Sequence, residues 1–451
     1  MNSYFKNSIN FFLLVVFMLL LISCEKSIYQ EKEKPELIIS AGNHLLSEST
    51  IHFHKDTVYV IATNLVRNAG QRLIIDAGVL IKMGNKLSVT INKGAVIEAN
   101  GTVDAPIVFT SATATGRVGV IGSGGSGSND NYWYGLRVYG NSLGQPVSSG
   151  KLNYVRIEFA GGNESFGGLP SVLFNNVYHE TAIDNIQVSY SYSNLVPSFE
   201  FSGGDCNASH LVSYASSGND FYLSNGYKGK LQHIVAYRHP IFPSEIFSPS
   251  QLVGLHIDGK ETFPSLSNVT VLGPDNQKST SLAYTQRPLA TALLVTNDGR
   301  FSIRNSVFAG FPIGGFFLNS TNSAKALNND ISEFSSSIVH STDSNKAFIL
   351  PTNIFPPYGS ADFQGFILNP RLSNELYKKF EIFKLVNPFD YSVNPDPTPM
   401  KESAILTGSN FTGPVFSDPF FKAVAYRGAW GTENWMNGWT NFHPLQTNYN
   451  N

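Results

Sequence analysis

The sequence is poor in charge, in cysteine and in long helical periods. Only 14% of its 451 residues are charged, and 31 Lys and Arg stand against 33 Asp and Glu, for a net charge of −2. A chain without a basic excess has no field that attracts nucleic acid, so we expect no nucleic-acid partner. Two cysteines cannot form a disulfide framework for a chain of this length. With 13% aromatic residues, the composition is that of a folded protein rather than a disordered one.

The first 23 residues are predicted to be a secretion signal. Lys6 precedes an unbroken apolar run from Phe11 to Ile22, which is short for a spanning helix and suits the core of a signal peptide. The run ends in Leu21-Ile22-Ser23-Cys24, which resembles a bacterial lipobox. The resemblance implies that Cys24 becomes the first residue of the mature protein and carries the lipid, palmitate included, that anchors it in the outer membrane. The alternative is an ordinary signal peptide or membrane anchor with an accidental cysteine.

Residues 24–36 are predicted to form a flexible tether after the acylated cysteine. They are charged and contain proline, a composition typical of a solvated segment. Charged residues just after the cysteine resemble a surface-export signal of Bacteroidetes lipoproteins, so we expect exposure at the cell surface. The second cysteine, Cys206, is isolated in the sequence, and an isolated cysteine is usually a small buried hydrophobe.

From residue 37 onward, short apolar runs alternate with Gly, Asn, Asp and Ser. Only Asn374–Lys384 approaches a helical period. A strand motif recurs with a minimum spacing of 23 residues, between Val212 and Val235, and with longer excursions elsewhere. This predicts one coil per repeat with loops inserted at some corners. We aligned the repeat on Ile157, Val188, Val212, Val235, Val271 and Val307.

An all-β, right-handed parallel β-helix accounts for this pattern, because each coil buries its apolar face only by stacking on its neighbours. We expect this solenoid over residues 37–394. We expect residues 395–451 to form a C-terminal aromatic cap that folds against the last coil and protects its edge. An antiparallel sandwich is the alternative, but it would need short hairpin turns that the chain mostly lacks. Within the solenoid, one column of stacked aromatic rings is predicted from Phe159, Tyr190, Tyr214 and Tyr237.

Several segments resemble a family of Bacteroidetes surface lipoproteins with a right-handed parallel β-helix of the pectin-lyase type. The resemblance covers most of the mature chain and implies a fold and a location rather than an activity. Related sequences tend to carry an acidic cluster before the segment that begins at Asn225, where this chain has only Asp220, so we expect no calcium site there. The segments are Trp133–Leu136, Val155–Gly161, Thr181–Ser191, Ser198–Gly204, Asn225–Gln232, Tyr426–Gly431 and Gly438–Pro444.

The sequence does not contain a recognisable catalytic motif. The Asn-Thr-Asp, Asp-Asp and Gly-His-Gly motifs of polygalacturonase-like enzymes are missing. His52 and His54 share one side of a predicted strand, but no cysteine or acidic cluster completes a ligand set in the sequence, so we expect no metal and no other cofactor. The glycine-rich loop Gly122–Asn131 lacks the context of a phosphate cradle. Carboxylates near coil edges are expected to accept hydrogen bonds from turn N–H groups, namely Glu158, Asp184, Glu200, Asp205 and Asp220.

The tryptophans are the remaining candidates for a binding surface. We expect the C-terminal ones to pack in the cap, and the alternative is a platform for a glycan or a protein partner, because tryptophan offers a flat face at low entropic cost. The candidate ligand or partner contacts are Tyr132, Trp133, Tyr134, Trp430, Trp435 and Trp439.

We therefore predict a non-catalytic, surface-exposed outer-membrane lipoprotein with a binding or accessory role. Its expected partner, besides the membrane that holds its lipid anchor, is a polysaccharide or an outer-membrane protein. One alternative is a polysaccharide lyase or glycoside hydrolase with an unfamiliar active site, which would need two carboxylates across one bond or a base beside a cationic group. The other alternative is a structural subunit of an outer-membrane protein complex.

Overall fold

Parallel strands wind around a common axis and form three faces. The computed structural model describes residues 34–113, 132–141, 147–164, 167–191, 197–216, 218–238, 253–273, 291–311, 314–341, 343–389 and 394–449, and Pro35–Thr447 form one compact unit. In these residues, each full coil crosses face 1, then face 2, then face 3 before it returns to face 1. All described pairings between coils are parallel. The expected parallel β-helix is therefore confirmed, and the antiparallel sandwich is excluded.

Face 1 is a parallel sheet that contains ten strands in the described part of the chain. Its strands alternate between apolar residues that point into the solenoid and residues that point outward. The strands are Leu65–Arg67, Ser88–Ile91, Gly135–Tyr139, Val172–Val177, Phe199–Gly204, Phe221–Ser224, Val253–Asp258, Thr291–Thr296, Gly314–Asn319 and Phe348–Ile349.

Faces 2 and 3 belong to one sheet with eighteen described strands, because four long strands pass from face 2 to face 3 through a single bend. These four are Gly150–Glu158, Ala182–Ser189, Ala208–Tyr214 and Lys230–Tyr237. The other strands of face 2 are Thr50–Phe53, Arg72–Ile75, Val96–Asn100, Ser265–Ser267, Ser302–Arg304 and Glu333–Ser335. The other strands of face 3 are Glu36–Ile39, Val58–Ile61, Leu80–Met83, Ile107–Ser111, Thr270–Leu272, Val307–Ala309, Ile338–His340 and Glu375–Tyr377.

One residue in each of seven coils has a positive φ at the bend between faces 2 and 3. Asparagine and histidine adopt this left-handed conformation more readily than most residues. His210 and His233 occupy adjacent bend positions, with ring centroids 5.1 Å apart. The bend residues are Tyr154, Asn185, His210, His233, Asn268, Asn305 and Ser336, with φ between 48° and 55°.

In the described part of the chain, two short α-helices interrupt the solenoid, and the sequence pattern missed both. Helix α1, Thr321–Asn328, lies between faces 1 and 2 and begins where the Ser320 hydroxyl accepts a hydrogen bond from the Ser323 N–H. Helix α2, Ser360–Ile367, buries Phe363 and Ile367 in the interior core. Eight residues are too few to show a helical period. Within the described residues, no helix is long and apolar enough to cross a membrane.

The remaining described elements are 3₁₀ turns and small hairpins. The expectation of a helix over 374–384 is wrong, because this stretch contains the face 3 strand Glu375–Tyr377 and a 3₁₀ turn. The 3₁₀ turns are His44–Ser47, Ser344–Lys346, Pro370–Leu372, Phe380–Phe383 and Ala404–Leu406. The antiparallel pairs are Gly162–Glu164 with Gly167–Leu169 and Leu385–Asn387 with Asp396–Pro399.

The C-terminal segment contacts the last strand of face 3, where Arg427 Nη1 lies 2.9 Å from Oε1 of Glu375, and it extends beyond the last coil. It runs along the outer surface of face 3 and the bend, where its aromatic residues form a second apolar cluster with Val212, Tyr214 and Val235. Helix α2 packs beside the last strand of face 1, Phe348–Ile349, near the end of the solenoid. We call residues 404–447 the tail.

Side-chain amides of the solenoid bind the tail backbone in the way that a neighbouring strand would. The Gln187 amide donates to the Asn441 carbonyl at 2.9 Å and accepts from the Asn441 N–H at 2.7 Å. Gln232 makes the same pair of hydrogen bonds with Lys422, at 2.8 and 2.9 Å. Asn305 repeats the arrangement with Asn410, at 3.1 and 2.6 Å. Three amides therefore fix the tail along the flank of the β-helix.

The repeat alignment was wrong by one residue between some coils. Val188 pairs with Ser213 rather than with Val212, while Val212 pairs with Val235. Val188 belongs to the interior core, whereas Val212 and Val235 lie in the outer cluster under the tail. Because the tail makes both sides of face 3 apolar, hydrophobic alternation no longer distinguishes inside from outside.

The predicted aromatic column exists, but the alignment of its members is shifted by one residue between Tyr190 and Tyr214. Ring centroids are 5.7 Å apart for Phe159 and Tyr190, 5.6 Å for Tyr190 and Tyr214, and 6.4 Å for Tyr214 and Tyr237. Tyr214 is in register with Ser189, one residue before Tyr190. The tail covers this column, since Phe442 lies 4.8 Å from the ring of Tyr214.

Replacing Gln187 by leucine is expected to destabilise the protein by about 2 kcal/mol, because the backbone N–H and C=O of Asn441 each lose a partly buried partner. Urea unfolding followed by tryptophan fluorescence measures the change. The matched control is Gln446→Leu, an exposed tail position, which should change stability by less than about 0.5 kcal/mol. Equal effects of the two substitutions would contradict the proposed role of the amide pairs.

Candidate functional site

A polar cluster lies on the outer side of face 1, across three consecutive coils. Glu200, Tyr222 and His256 are in register on neighbouring strands. Their strand neighbours are buried apolar residues, as in Phe199-Glu200-Phe201, so the polar side chain between them must point away from the core. Asp258 follows His256 on the same side two residues later.

Asp258 is the centre of the hydrogen-bond network. Its Oδ2 accepts from the Tyr222 hydroxyl at 2.8 Å. Its Oδ1 accepts from the Thr296 hydroxyl at 2.6 Å and from the Asn297 amide at 2.7 Å. Because the Thr296 proton points to Asp258, the His256 Nε2 that lies 2.8 Å from the same hydroxyl must be the donor. His256 therefore carries its proton on Nε2.

The pKa values of the two carboxyl groups in the cluster, Glu200 and Asp258, are shifted in opposite directions. Burial raises the pKa of Glu200 to about 7, and in the described structure no side chain or backbone N–H donates a hydrogen bond to it. Burial also opposes ionisation of Asp258, but the hydrogen bonds from Thr296, Tyr222 and Asn297 hold its pKa below the ordinary value. Burial lowers the pKa of His256, so the imidazole is neutral at pH 7. The pKa of one carboxyl of the cluster is therefore raised and that of the other is lowered, a divergence that is common at functional sites.

The expected role of the coil-edge carboxylates holds for two of the five. Asp184 accepts from the Asn185 N–H and Asp205 accepts from the His179 N–H, each at 3.0 Å. Glu158 is fully buried on face 3, and Glu200 belongs to the face 1 cluster. These two therefore differ from the expectation.

Asp220 forms a buried ion pair. Its Oδ2 lies 2.7 Å from Nη2 of Arg238, and its Oδ1 accepts from Ser213 at 2.7 Å. The same guanidinium donates to the carbonyls of Ser216 and Gly218, which ties down the turn before face 1. Both carboxylate oxygens of Asp220 are therefore engaged within the protein.

Sequence reasoning missed Tyr222, His256 and Asp258. A signal was present, because a polar residue flanked by two large apolar ones recurs in Phe199-Glu200-Phe201, Phe221-Tyr222-Leu223 and Leu255-His256-Ile257. Only the strand register places these triplets side by side, and the spacing of 22 and then 34 residues between the polar positions hides it in the sequence.

The aromatic candidates are mostly packing residues. Trp133 is fully buried in the interior core, where its Nε1 donates to the Glu158 carbonyl at 2.9 Å. Trp430 and Trp439 belong to the tail and are buried in the apolar cluster that it forms with face 3, and Trp435 stacks between them with centroid distances of 6.3 Å on both sides. Their ring faces are therefore used within the protein. Tyr132, Tyr134 and Trp435 stay partly exposed.

The histidine pair has an acidic neighbour that the sequence did not indicate. Asp76 comes from the next coil, and its Oδ1 lies 2.7 Å from Nε2 of His52. The ligand atoms of His52, His54 and Asp76 all lie within 4.8 Å of one another. The sequence spacing did not indicate Asp76 as a third potential ligand, because stacking of coils joins residues about one repeat apart.

Of the two cysteines, the described residues include only Cys206. Cys206 is fully buried, and burial raises the pKa of its thiol, which agrees with a core role. Cys24 and the glycine-rich loop Gly122–Asn131 lie outside the described residues.

An apolar cavity of about 450 Å³ lies between α1 and α2. Its lining carboxylate, Asp362, accepts a hydrogen bond from the Gly359 N–H at the start of α2 at 2.9 Å. The cavity therefore offers no free acid or base, in contrast to the face 1 cluster. Its apolar lining includes Leu318, Leu327, Leu350, Phe355, Phe363 and Phe366.

Comparison with known proteins gives a family and no individual relative. No curated protein and no solved structure matches the sequence. A family model described as a pectate-lyase-like β-helix domain matches residues 45–352, which is more than half of the 451 residues. The matched range contains all ten described strands of face 1 and the whole Glu200–Asp258 cluster. The chain therefore belongs to the pectate-lyase-like β-helix family.

Proposed function

We propose that this protein is a lipid-anchored protein of the bacterial outer membrane that binds a polysaccharide on the outer side of face 1, without turning it over. The observation that carries the proposal is the Glu200, Tyr222 and His256 row with Asp258 beside it. The family name points to proteins related to polysaccharide-active enzymes. The lipobox that ends at Cys24 supports the anchor and the cell-surface location.

The face 1 cluster has the groups that a sugar ligand needs. Glu200 has a carboxyl group with no hydrogen-bond partner among the described residues, Tyr222 has a partly exposed ring, and Asn297 is exposed beside Asp258. A few polar groups beside an aromatic surface are typical of small-molecule sites. Coils repeat about 4.8 Å apart, which suits an extended ligand that lies along the axis.

Cleavage of a glycosidic bond is the second candidate, and the opposite pKa shifts of Glu200 and Asp258 favour it. Glu200 would be the general acid, since a pKa near the working pH is best for proton transfer. Asp258 would be the second carboxylate. We place binding first because both oxygens of Asp258 already accept hydrogen bonds from Tyr222, Thr296 and Asn297, and attack or base catalysis would require their displacement.

A polysaccharide array followed by calorimetry tests binding. We expect one class of polysaccharide to bind the full-length protein, and Glu200→Ala and Tyr222→Ala each to weaken its binding at least fivefold. Glu261→Gln, an exposed position, is the matched control and should bind as wild type. Reducing ends and unsaturated products are measured on the same samples. If the protein cleaves the polysaccharide and Glu200→Ala abolishes the cleavage, the function is catalysis rather than binding alone. Unchanged binding in both variants would refute the face 1 site.

The protonation state of Glu200 makes stability depend on pH. Its pKa of about 7 in the folded protein exceeds the ordinary value of 4.5, so its contribution is full below pH 4.5 and is lost as the pH rises through 7. Glu200→Gln should therefore be more stable than wild type by roughly 2–3 kcal/mol at pH 8 and by less than about 1 kcal/mol at pH 5. Urea unfolding at both pH values measures the difference, with Glu261→Gln as control. A difference that does not change with pH would show that Glu200 is ionised in both states.

Lipidation is tested by labelling cells with palmitate. We expect the wild-type protein to incorporate the label and to fractionate with the outer membrane, while Cys24→Ala does neither, because acylation requires the thiol. Cys206→Ala is the matched control, since its buried thiol lies in the core, and it should be labelled as wild type. Label that persists in Cys24→Ala would refute the anchor.

A further inference from the structure

Two histidines and an aspartate meet on the outer side of face 2, near the start of the solenoid. In the strand Thr50–Phe53, Ile51 and Phe53 are buried, so His52 points outward, and His54 follows on the same side. Phe53 pairs with Ile75, which places His54 and Asp76 at equivalent positions of adjacent coils. The ring centroids of the two histidines are 4.0 Å apart.

The three side chains already converge at close range. His52 Nε2 lies 2.7 Å from Oδ1 of Asp76, and His54 Nδ1 lies 3.4 Å from Oδ2. In a tetrahedral zinc centre with bonds of about 2.0–2.1 Å, ligand atoms lie roughly 3.3 Å apart. Small side-chain rotations therefore suffice to admit an ion between them.

The backbone on both sides of the cluster is fixed by hydrogen bonds. The His54 N–H donates to the Tyr59 hydroxyl at 2.8 Å, and the Asp76 N–H donates to the Phe53 carbonyl at 3.0 Å. Preorganised ligands of this kind lose little freedom when an ion binds.

We propose that His52, His54 and Asp76 form a surface site for a divalent first-row transition ion, with Zn²⁺ as the representative. Two imidazole ligands favour zinc, copper or nickel, whereas calcium and magnesium require oxygen ligands. The site is open to solvent, since the side chains of His52, His54 and Asp76 are 39%, 61% and 37% exposed. Three protein ligands leave the fourth position to water or to a donor group of a partner.

The site is distinct from the face 1 cluster and does not rest on the proposed function. It draws on coils at residues 50–76, whereas Glu200 and Asp258 belong to coils much further along the axis. Failure of polysaccharide binding leaves it unaffected, and failure of zinc binding leaves the face 1 proposal unaffected.

Calorimetric titration of Zn²⁺ into untagged, chelator-treated full-length protein at pH 7.5 tests the site. We expect one ion per chain with a micromolar or lower Kd, and a loss of at least tenfold in affinity for His52→Ala, His54→Ala and Asp76→Asn. The Asp76→Asn variant keeps the size of the side chain, and circular dichroism checks that each variant folds. X-ray absorption of the zinc complex should show two imidazole nitrogens and oxygen ligands.

The matched control is His179→Ala. His179 is also exposed and lies 3.0 Å from a carboxylate oxygen of Asp205, but it lies outside the proposed site, so its loss should leave the titration unchanged. Absence of saturable binding by the wild type would overturn the proposal. Equal affinity of wild type and the His52→Ala and His54→Ala variants would also overturn it, because the zinc would then lie elsewhere.

Discussion

The paired hydrogen bonds between solenoid amides and the tail backbone are the constraint on which the arrangement of this protein depends. Gln187, Gln232 and Asn305 each donate to a tail carbonyl and accept from the N–H of the same tail residue. Buried backbone groups must find partners, and irregular backbone has no ladder to supply them. The amides do so, and the tail aromatics can then close over the outer side of face 3.

The contact between the tail and face 3 also explains why the sequence predicted the fold correctly but gave a wrong alignment of some repeats. The parallel β-helix was predictable, because repeats of about one coil length and turn-forming residues specify it. The alignment failed at Val212, since a residue under the tail is as apolar as a residue in the core. Nothing in the local sequence indicates that a segment some 200 residues further along covers that position.

The candidate site was only partly predictable for a related reason. Glu200 was visible as a carboxylate near a coil edge, but its neighbours Tyr222 and His256 are brought beside it only by the strand register. Asp76 meets His52 in the same way, across one coil. In a solenoid, side chains from different coils combine to form a site. Inserted loops vary the number of residues between these side chains, so no fixed sequence pattern marks the site. Motifs within a single segment therefore underestimate what such a protein can bind.

The three faces differ in what they leave for ligands. The tail covers the outer side of face 3 in the middle and later coils and uses the ring faces of Trp430 and Trp439. Face 2 presents the proposed metal ligands at one end. The outer side of face 1 retains a partly exposed acid, Glu200, whose carboxyl has no hydrogen-bond partner among the described residues. This contrast is the reason why we place the polysaccharide on face 1 rather than on the tail aromatics.

The most direct test of this account is a crystal structure of the protein with an oligosaccharide fragment of the polysaccharide that it binds most tightly. We expect sugar hydroxyls within hydrogen-bond distance of Glu200 and a sugar ring against the ring of Tyr222, with the tail in place over face 3. A fragment bound on Trp435 and its neighbours in the tail, with face 1 free of ligand, would contradict it.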